Sequence, residues 1–247
     1  MNQRCLAIMD MLNREEMLDV NDLAERLSVS AVTVRKDLAI LENKGLLHRQ
    51  HGSVMRVSPN DIGYRMTFDY EVKRRIARRA ADMVQSGEAV MIESGSTCAM
   101  LAEELVRKKR DVTIITNSAF IAGYIRSIPG ARVVLLGGVY NPDAQVMSGP
   151  LVGKCAEEFY VDKFFIGTDG YDPNQGFSNV DMLRAEAVRA MAARSDKRII
   201  LTDASKFNRR GVVQLMPTRH ITHVITDAIP DNCRASLENS GVEIILT

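Results

Sequence analysis

Apolar residues follow two different periods along this chain. Near the amino terminus, four apolar residues fall at i, i+3, i+4 and i+7, which predicts an amphipathic helix. They are Cys5, Ile8, Met9 and Leu12. From residue 89 onward, short apolar runs alternate with helical stretches instead. The pattern therefore predicts a small helical domain followed by a larger α/β domain.

Residues 22–52 predict two short helices, joined by a tight turn and followed by a β-hairpin. Asn21 is a favourable N-cap for the first helix and Ser30 for the second, because their side chains can accept hydrogen bonds from the first amides. Residues 46–56 predict the hairpin, with His51-Gly52 near its tip. Together these elements predict a winged helix-turn-helix.

The second predicted helix has an apolar back and a polar front. The apolar positions on one face are Ala31, Val34, Leu38 and Leu41. Thr33, Arg35 and Lys36 project away from that face. Arg and Lys can pair with guanine O6 and N7 in the major groove, and hydroxyl groups can contact bases or phosphates. The helix therefore has the chemistry to enter a DNA major groove.

Two further features suit contacts with DNA phosphates. The amino end of the second helix, at Ser30, attracts anions through the helix dipole. Arg49 and His51 of the predicted wing can reach an adjacent backbone or minor groove. Periodicity alone also fits a solvated helix face or a protein–protein module. The predicted DNA-binding residues are Ser30, Thr33, Arg35, Lys36, Arg49 and His51.

The positive charge of the chain is local. The 247 residues carry a formal net charge of +1, which argues against a uniformly basic, architectural nucleic-acid binder. Between residues 30 and 58, five Lys and Arg stand against two acidic residues. A modest basic patch of this kind fits a sequence-specific DNA-binding unit.

Several other classes of protein fit the sequence poorly. The four cysteines are far apart, without a CxxC pair, so we expect neither a metal site nor a disulfide framework. No apolar run approaches the ~18 residues of a membrane span, and the amino terminus is too polar for a signal peptide. We expect a reduced, cytoplasmic protein without a cofactor or a membrane partner.

Seven short apolar runs rich in β-branched residues predict a sheet. Because the runs do not alternate apolar with polar residues, we expect both faces to be buried, as in a mostly parallel sheet covered by helices. The runs are AVMIES, VTIITN, RVVLLGG, KFFIGTD, RIILTD, HVITD and VEIIL. Helical stretches at 97–107, 119–127, 152–159, 182–193 and 231–239 separate most of them.

Polar residues follow the predicted strands, at the edge where ligands bind in open α/β sheets. Ser94-Gly95-Ser96-Thr97 joins the first strand to a helix, so its backbone amides can approach an anion. Lys206 would add positive charge, while Asn117 and Asp169 can bind hydroxyl groups. Each motif alone is more often a plain helix cap or turn. Together with Gly137-Gly138 at the same edge, they predict a pocket for an anionic ligand.

Motifs in both halves of the chain resemble the DeoR family of bacterial transcriptional regulators. The resemblance covers almost the whole chain and is specific because the motifs stand in the family's order. They are Thr33-Val34-Arg35-Lys36-Asp37-Leu38, Arg49-Gln50-His51-Gly52, Ser94-Gly95-Ser96-Thr97, Thr116-Asn117-Ser118, Gly137-Gly138, Asp169-Gly170, Asp203-Ala204-Ser205-Lys206-Phe207 and Ile225-Thr226-Asp227. Glu93 stands where the family more often has Asp, and Lys36 stands where Arg is commoner.

The resemblance implies a repressor of a sugar, polyol or nucleoside catabolic operon. Such a repressor binds a double-stranded DNA operator as a homodimer or homotetramer, and a phosphorylated sugar releases it. The carboxyl-terminal half would be similar to ribose-5-phosphate isomerases. The residues that would bind the phosphorylated sugar are Ser94, Gly95, Ser96, Thr97, Asn117, Gly137, Gly138, Asp169 and Lys206.

The domain boundaries follow from a polar segment that contains Pro59 and Gly63 and shows no period. We predict a DNA-binding domain at residues 1–57, a linker at 58–72 and an effector-binding and oligomerisation domain at 73–247. Basic residues crowd a predicted helix at 64–82, which is more typical of a solvated helix face than of a phosphate site.

Two other functions stay open at this point. An isomerase moves a proton beside a carbonyl with carboxylates and an amine, which Asp169, Asp172, Glu186 and Lys206 could supply. A winged helix fused upstream has no role in such an enzyme, so we expect no catalytic residues. The remaining alternative is a protein-interaction adaptor that uses the amino-terminal module as a docking surface.

Overall fold

The chain divides into two units, Met1–Tyr70 and Glu71–Thr247. The structure is a computed structural model that describes residues 2–50, 52–56 and 62–247. The division falls inside the predicted linker at 58–72. Residues 57–61 of that segment lie outside the described residues, whereas residues 62–67 form a helix within the first unit.

The first unit is a winged helix. Its three-stranded antiparallel sheet has the order β1-β3-β2, so the predicted hairpin is confirmed and a third strand joins it. All four apolar residues predicted for the first helix are buried. The elements are α1 (Gln3–Arg14), β1 (Met17–Asp19), α2 (Val20–Arg26), α3 (Ala31–Asn43), β2 (Leu47–Gln50), β3 (Ser53–Arg56) and α4 (Ile62–Thr67).

Two local predictions in this region are wrong. The N-cap of α2 is Asp19, whose carboxylate accepts from the amides of Asn21 and Asp22, so Asn21 is already inside the helix. The helix predicted at 64–82 is two helices, α4 and α5 (Tyr70–Asp82). Asp69, just before α5, has a φ of 49°, a left-handed conformation that an α-helix cannot contain.

A buried carboxylate ties the second helix of the motif to the first helix of the chain. Asp37 on α3 is 2% exposed. It accepts hydrogen bonds from the side chains of Asn2 and Arg4 at the start of α1. Since a buried charge is stable only when it is paired, this contact fixes how α1 and α3 pack.

Asp37→Asn is expected to destabilise the first unit near neutral pH but not in acid. Burial raises the pKa of Asp37, but hydrogen bonds from Arg4 and Asn2 outweigh it and hold the pKa below its ordinary value. Such a carboxylate stabilises the fold above its unfolded pKa of about 3.9 and loses this effect as the pH falls through the folded pKa. Thermal melts of both proteins by circular dichroism should therefore begin to converge as the pH falls below about 4, and should coincide once the pH is below the folded pKa. A difference that does not change with pH would contradict this role.

The second unit is built on a seven-stranded, all-parallel sheet of order β15-β14-β12-β9-β4-β5-β6. These strands are the seven predicted apolar runs, so that prediction is confirmed. They are β4 (Ala89–Ile92), β5 (Thr113–Thr116), β6 (Arg132–Leu135), β9 (Val161–Gly167), β12 (Ser195–Leu201), β14 (His223–Thr226) and β15 (Glu243–Leu246). The helices that follow α5 are α6 (Ser96–Lys108), α7 (Ala119–Ile125), α8 (Pro150–Ala156), α9 (Met182–Ala192) and α10 (Asp231–Asn239).

Two small antiparallel sheets complete the unit, and the sequence pattern did not predict them. One is the hairpin of β7 (Val139–Asn141) and β8 (Val146–Ser148). The other has the order β10-β11-β13, from β10 (Gly170–Asp172), β11 (Gly176–Asn179) and β13 (Val213–Met216). Phe177 and Tyr171 of this second sheet are fully buried and join the core formed with α8, α9 and the central strands.

Candidate functional site

The first candidate site is the polar front of α3. Its back is fixed, since Val34, Leu38 and Leu41 are fully buried. Arg35 and Lys36 are exposed, and neither forms an ion pair with any residue in the described part of the chain. A rigid helix that carries two unpaired cations on its solvent face is what major-groove docking requires.

The amino end of α3 is capped within the unit. The hydroxyl of Ser30 accepts from the amide of Thr33 at 3.2 Å, as predicted. The hydroxyls of Ser30 and Thr33 also lie 2.9 Å apart and share a hydrogen bond. Both side chains therefore first hold the helix start, and each keeps only part of its hydrogen-bonding capacity for DNA.

The wing residue Arg49, predicted to contact DNA, already interacts with Glu42 in the folded protein. The amide of Arg49 donates to Glu42 at 3.2 Å, and its guanidinium lies 3.6 Å from the other carboxylate oxygen. This pair ties β2 to the end of α3. His51 lies outside the described residues, while Gly52 has a φ of 85°, which favours glycine at this turn.

The second candidate site lies at the carboxyl edge of the parallel sheet. The predicted residues follow β12, β9, β4, β5 and β6, which are neighbours in that order. Strands lie about 4.8 Å apart, so one small ligand spans only about three of these strand ends. The residues after β9, β4 and β5 can therefore share a ligand, which the long side chain of Lys206 can reach from the neighbouring strand β12, whereas Gly137 and Gly138 after β6 are far from Lys206.

The amino end of α6 faces this edge without a side-chain cap. Gly95 occupies the N-cap and provides no side-chain hydrogen bond, so the first amides of a 13-residue helix are not capped by it. Glycine suits this close approach, because a Cβ at Gly95 would lie 3.3 Å from the Cα of Gly167 and 3.2 Å from a Glu93 oxygen, and both distances are tight. The chain thus brings the ends of β4 and β9 together at a helix terminus that attracts anions.

A buried ion pair, missed in the sequence, occupies the centre of this edge. The carboxylate of Glu93 is 1% exposed and the side chain of Arg184 is 10% exposed. Arg184 donates from Nη2 to Glu93 Oε1 at 3.2 Å, and Ser94 Oγ donates to the same oxygen at 2.8 Å. The amide of Gly167 donates to Glu93 Oε2 at 3.2 Å. Burial lowers the pKa of Arg184, but the charges of Glu93 and Asp169 outweigh it, so the pKa is raised and the guanidinium stays charged.

The other predicted residues at this edge differ in how many hydrogen bonds and ion pairs their side chains already form within the protein. Asp169 accepts from the amide of Val180 at 3.1 Å. The Asn117 side chain donates to the carbonyl of Met147, while its buried Oδ1 has no partner among the described residues. Lys206 is half-buried and forms no ion pair with any described residue. Of these side chains, Lys206 keeps its charge free for a ligand.

Gly138 has a packing role in this structure. A Cβ there would lie 2.8 Å from the Ser148 carbonyl oxygen and 2.9 Å from the Val152 side chain. Close packing against β8 and α8 therefore explains the glycine without a ligand.

Two residues considered for an isomerase are poorly placed for catalysis. Arg210 lies 2.9 Å from Asp172 and holds the pKa of that carboxyl below its ordinary value, which leaves a weak base. Glu186 is exposed on the outer face of α9, whereas Arg184 of the same helix points into the sheet edge. The described residues contain no cluster of three or more groups that could hold a metal ion.

Comparison with known families matches both units. The model of a DeoR-like helix-turn-helix domain matches residues 4–60, and the model of a DeoR C terminal sensor domain matches residues 69–228. None of the helices described here is long and apolar enough to cross a membrane.

Relatives of similar length carry regulatory names. An Escherichia coli O157:H7 protein, named provisionally as the aga operon transcriptional repressor, is 30% identical over 99% of this chain and 93% of its own length. The L-fucose operon activator of Haemophilus influenzae is 28% identical, with 100% of both chains covered. Among solved structures, ribose 5-phosphate isomerase from Plasmodium falciparum gives a TM-score of 0.43 at 22% identity, over 57% of this chain and 55% of that one.

Proposed function

Because the chain belongs to the DeoR family of transcriptional regulators, we propose that it represses a sugar, polyol or nucleoside catabolic operon and leaves its operator when a phosphorylated sugar binds. One observation carries this proposal. The same chain holds an unpaired basic front on α3 and an uncapped helix terminus beside Arg184 at the carboxyl edge of its sheet.

For the operator, we propose that α3 enters the major groove with Thr33, Arg35 and Lys36. The wing residues Arg49 and His51 and the helix start at Ser30 would contact the backbone. Arg49 would then exchange part of its contact with Glu42 for a phosphate, since both bind the same guanidinium.

For the effector, we propose that the amino end of α6 holds the phosphate with Ser94, Gly95, Ser96 and Thr97, and that Lys206 supplies charge. Asn117 and Asp169 would bind sugar hydroxyls. A dianionic phosphate suits an uncapped helix terminus, because backbone amides and the helix dipole both favour negative charge there.

The repressor assignment is tested by transcription. Deleting the gene for this chain should raise transcription of a neighbouring sugar, polyol or nucleoside catabolic operon when the sugar is absent, and expression from a plasmid should lower it again. Lower transcription after deletion would show an activator instead. Neighbouring genes for a kinase or an aldolase would indicate which sugar to test.

We expect the protein to assemble into dimers or tetramers. One short helix and one wing supply few contacts, so two copies on a repeated or palindromic site are needed for tight binding. Sedimentation velocity at micromolar concentration should therefore show no dominant species of 27.5 kDa, the mass of one chain. A monomer that keeps full operator affinity would contradict this expectation.

The enzyme alternative is weaker. The relatives carry the names of transcriptional regulators, and Asp172 is held by Arg210 as a weak base. A turnover assay with aldose phosphates would detect isomerase activity directly.

A further inference from the structure

Arg184 keeps hydrogen-bonding capacity that the described part of the chain does not use. It lies on α9 and is 9% exposed, which is rare for an arginine without full pairing. A guanidinium has five N–H donors, yet among the described residues this side chain donates only to Glu93, and its buried Nε has no partner. An unused buried donor is costly, so the site is suited to an acceptor supplied from outside.

Glu93 accepts three hydrogen bonds from the protein itself. One of its oxygens accepts from Ser94 and Arg184, and the other accepts from the amide of Gly167. The carboxylate is almost fully buried and so is a poor contact for a ligand. Its place in the structure is that of a counter-ion for Arg184.

Glu93 also lies against the helix terminus. The Cβ position of Gly95, the N-cap of α6, is 3.2 Å from a Glu93 oxygen. Two groups that attract anions, Arg184 and the amino end of α6, thus meet around the Glu93 carboxylate, and the charge of Asp169 also acts on Arg184. An anion that binds at α6 is attracted by Arg184 and repelled by Glu93.

We propose that Arg184 binds the phosphate of the effector together with the amino end of α6, and that Glu93 is the internal counter-ion with which this phosphate competes. The inference rests on the proposed function and deepens it. It makes Arg184 a specificity-determining residue for phosphorylated over free sugars, and it makes Glu93 a positioning residue that holds the guanidinium before the effector arrives.

The sign of the Glu93→Gln effect distinguishes this proposal from direct sugar binding by Glu93. Without the carboxylate, the protein should melt at a lower temperature, because Arg184 loses its partner in a buried place. It should also bind phosphate more tightly by at least about fivefold, the effect of one unit charge at about 4 Å even in water. If Glu93 held sugar hydroxyls instead, the same substitution would weaken binding.

The matched control is Glu88→Gln. Glu88 pairs with Lys163 near the opposite, amino-terminal ends of β4 and β9, and both side chains are 14% exposed. Like Glu93→Gln, this variant loses one carboxylate from a buried or partly buried ion pair next to an end of β4. It should lower the melting temperature and leave the affinity for phosphate unchanged.

Arg184→Met should weaken binding roughly tenfold or more, since a hydrogen bond to a charged group is lost. The substitution also leaves the Glu93 carboxylate buried without its cation, so the variant protein can fail to fold. The double variant Glu93→Gln/Arg184→Met avoids this, because exchanging a buried ion pair for uncharged groups of similar size is often tolerated. The double variant should fold and lose the preference for phosphorylated sugars.

The experiment is a thermal-shift titration of the full chain. The probes are inorganic phosphate and a panel of aldose and ketose phosphates, each compared with the free sugar at equal ionic strength. Tighter phosphate binding by Glu93→Gln and loss of the response in the double variant would support the inference. A wild-type response that the double variant retains, or weaker phosphate binding by Glu93→Gln, would overturn this inference and leave the proposed function standing. A wild type that responds to no phosphorylated sugar would overturn the proposed function as well.

Discussion

Lys206→Ala is expected to produce a repressor that no longer responds to its inducer. Lys206 is the half-buried cation after β12 that forms no ion pair within the described chain, so its loss removes charge from the proposed effector site without breaking an ion pair there. A typical allosteric effector changes affinity by about 5- to 150-fold. At the inducer concentration that releases the wild type, the operator affinity of the variant should fall by less than about twofold, because most of the allosteric coupling is lost. Thr97→Ala, in the first turn of α6, should act in the same direction.

Lys197→Ala is the control for this result. Lys197 is an exposed lysine near the other end of β12. Because both variants replace a lysine by alanine, they have the same net charge. It should respond to inducer like the wild type. Equal loss of induction in both variants would show a general charge effect and would remove Lys206 from the effector site.

Arg35→Ala is expected to weaken operator binding by about 1–3 kcal/mol, the cost of one bidentate contact to a base. Arg35 is exposed on α3 opposite the buried Val34 and Leu38, so the substitution should leave the fold intact. If Arg35 reads a base pair, specificity at that position should also relax. Affinities for the operator, for operators changed at single positions and for random DNA measure both effects.

The control removes an arginine elsewhere on the same unit. Arg14 lies at the end of α1, is 76% exposed and pairs only with the exposed Asp10 in the described structure. Arg14→Ala should change operator affinity little. An equal loss of affinity for operator and random DNA in Arg35→Ala would mean that Arg35 contacts a phosphate and does not read a base.

The fold was predictable where burial dictates the sequence. The five inner strands of the parallel sheet each bury two or more consecutive apolar residues, so each contains an apolar run, while the edge strands β6 and β15 are only partly buried. The strands β10 and β11 are short and contain glycine and polar or charged residues, like loops, and β13 has only four residues, too few to show a period. Asp19 and Asn21 are both good caps two residues apart, and only the backbone conformation decides between them.

The proposed effector site was predictable only in part. Short polar motifs after buried strands pointed to the carboxyl edge of the sheet, because the topology of α/β folds places ligands there. Arg184 was not predicted as a site residue, because an arginine on a helix is usually exposed to solvent. A signal for it existed, since Arg184, Val188 and Met191 fall at i, i+4 and i+7 and share a buried face. Glu93, just after β4, gave a second signal, because it has a longer side chain than the Asp that is commoner in the family at this position.

The most direct test of the account is the affinity of the wild-type protein for its operator, with and without phosphorylated sugars. A labelled operator is titrated in the presence of each sugar phosphate and of its unphosphorylated counterpart. The ligand must bind the DNA-free state more tightly, since a ligand with equal affinity for both states shifts nothing. We predict that at least one sugar phosphate weakens operator binding by about fivefold or more and that its free sugar does not. Unchanged affinity with every phosphorylated sugar would contradict the effector assignment, while binding to the operator itself would still support the assignment of α3.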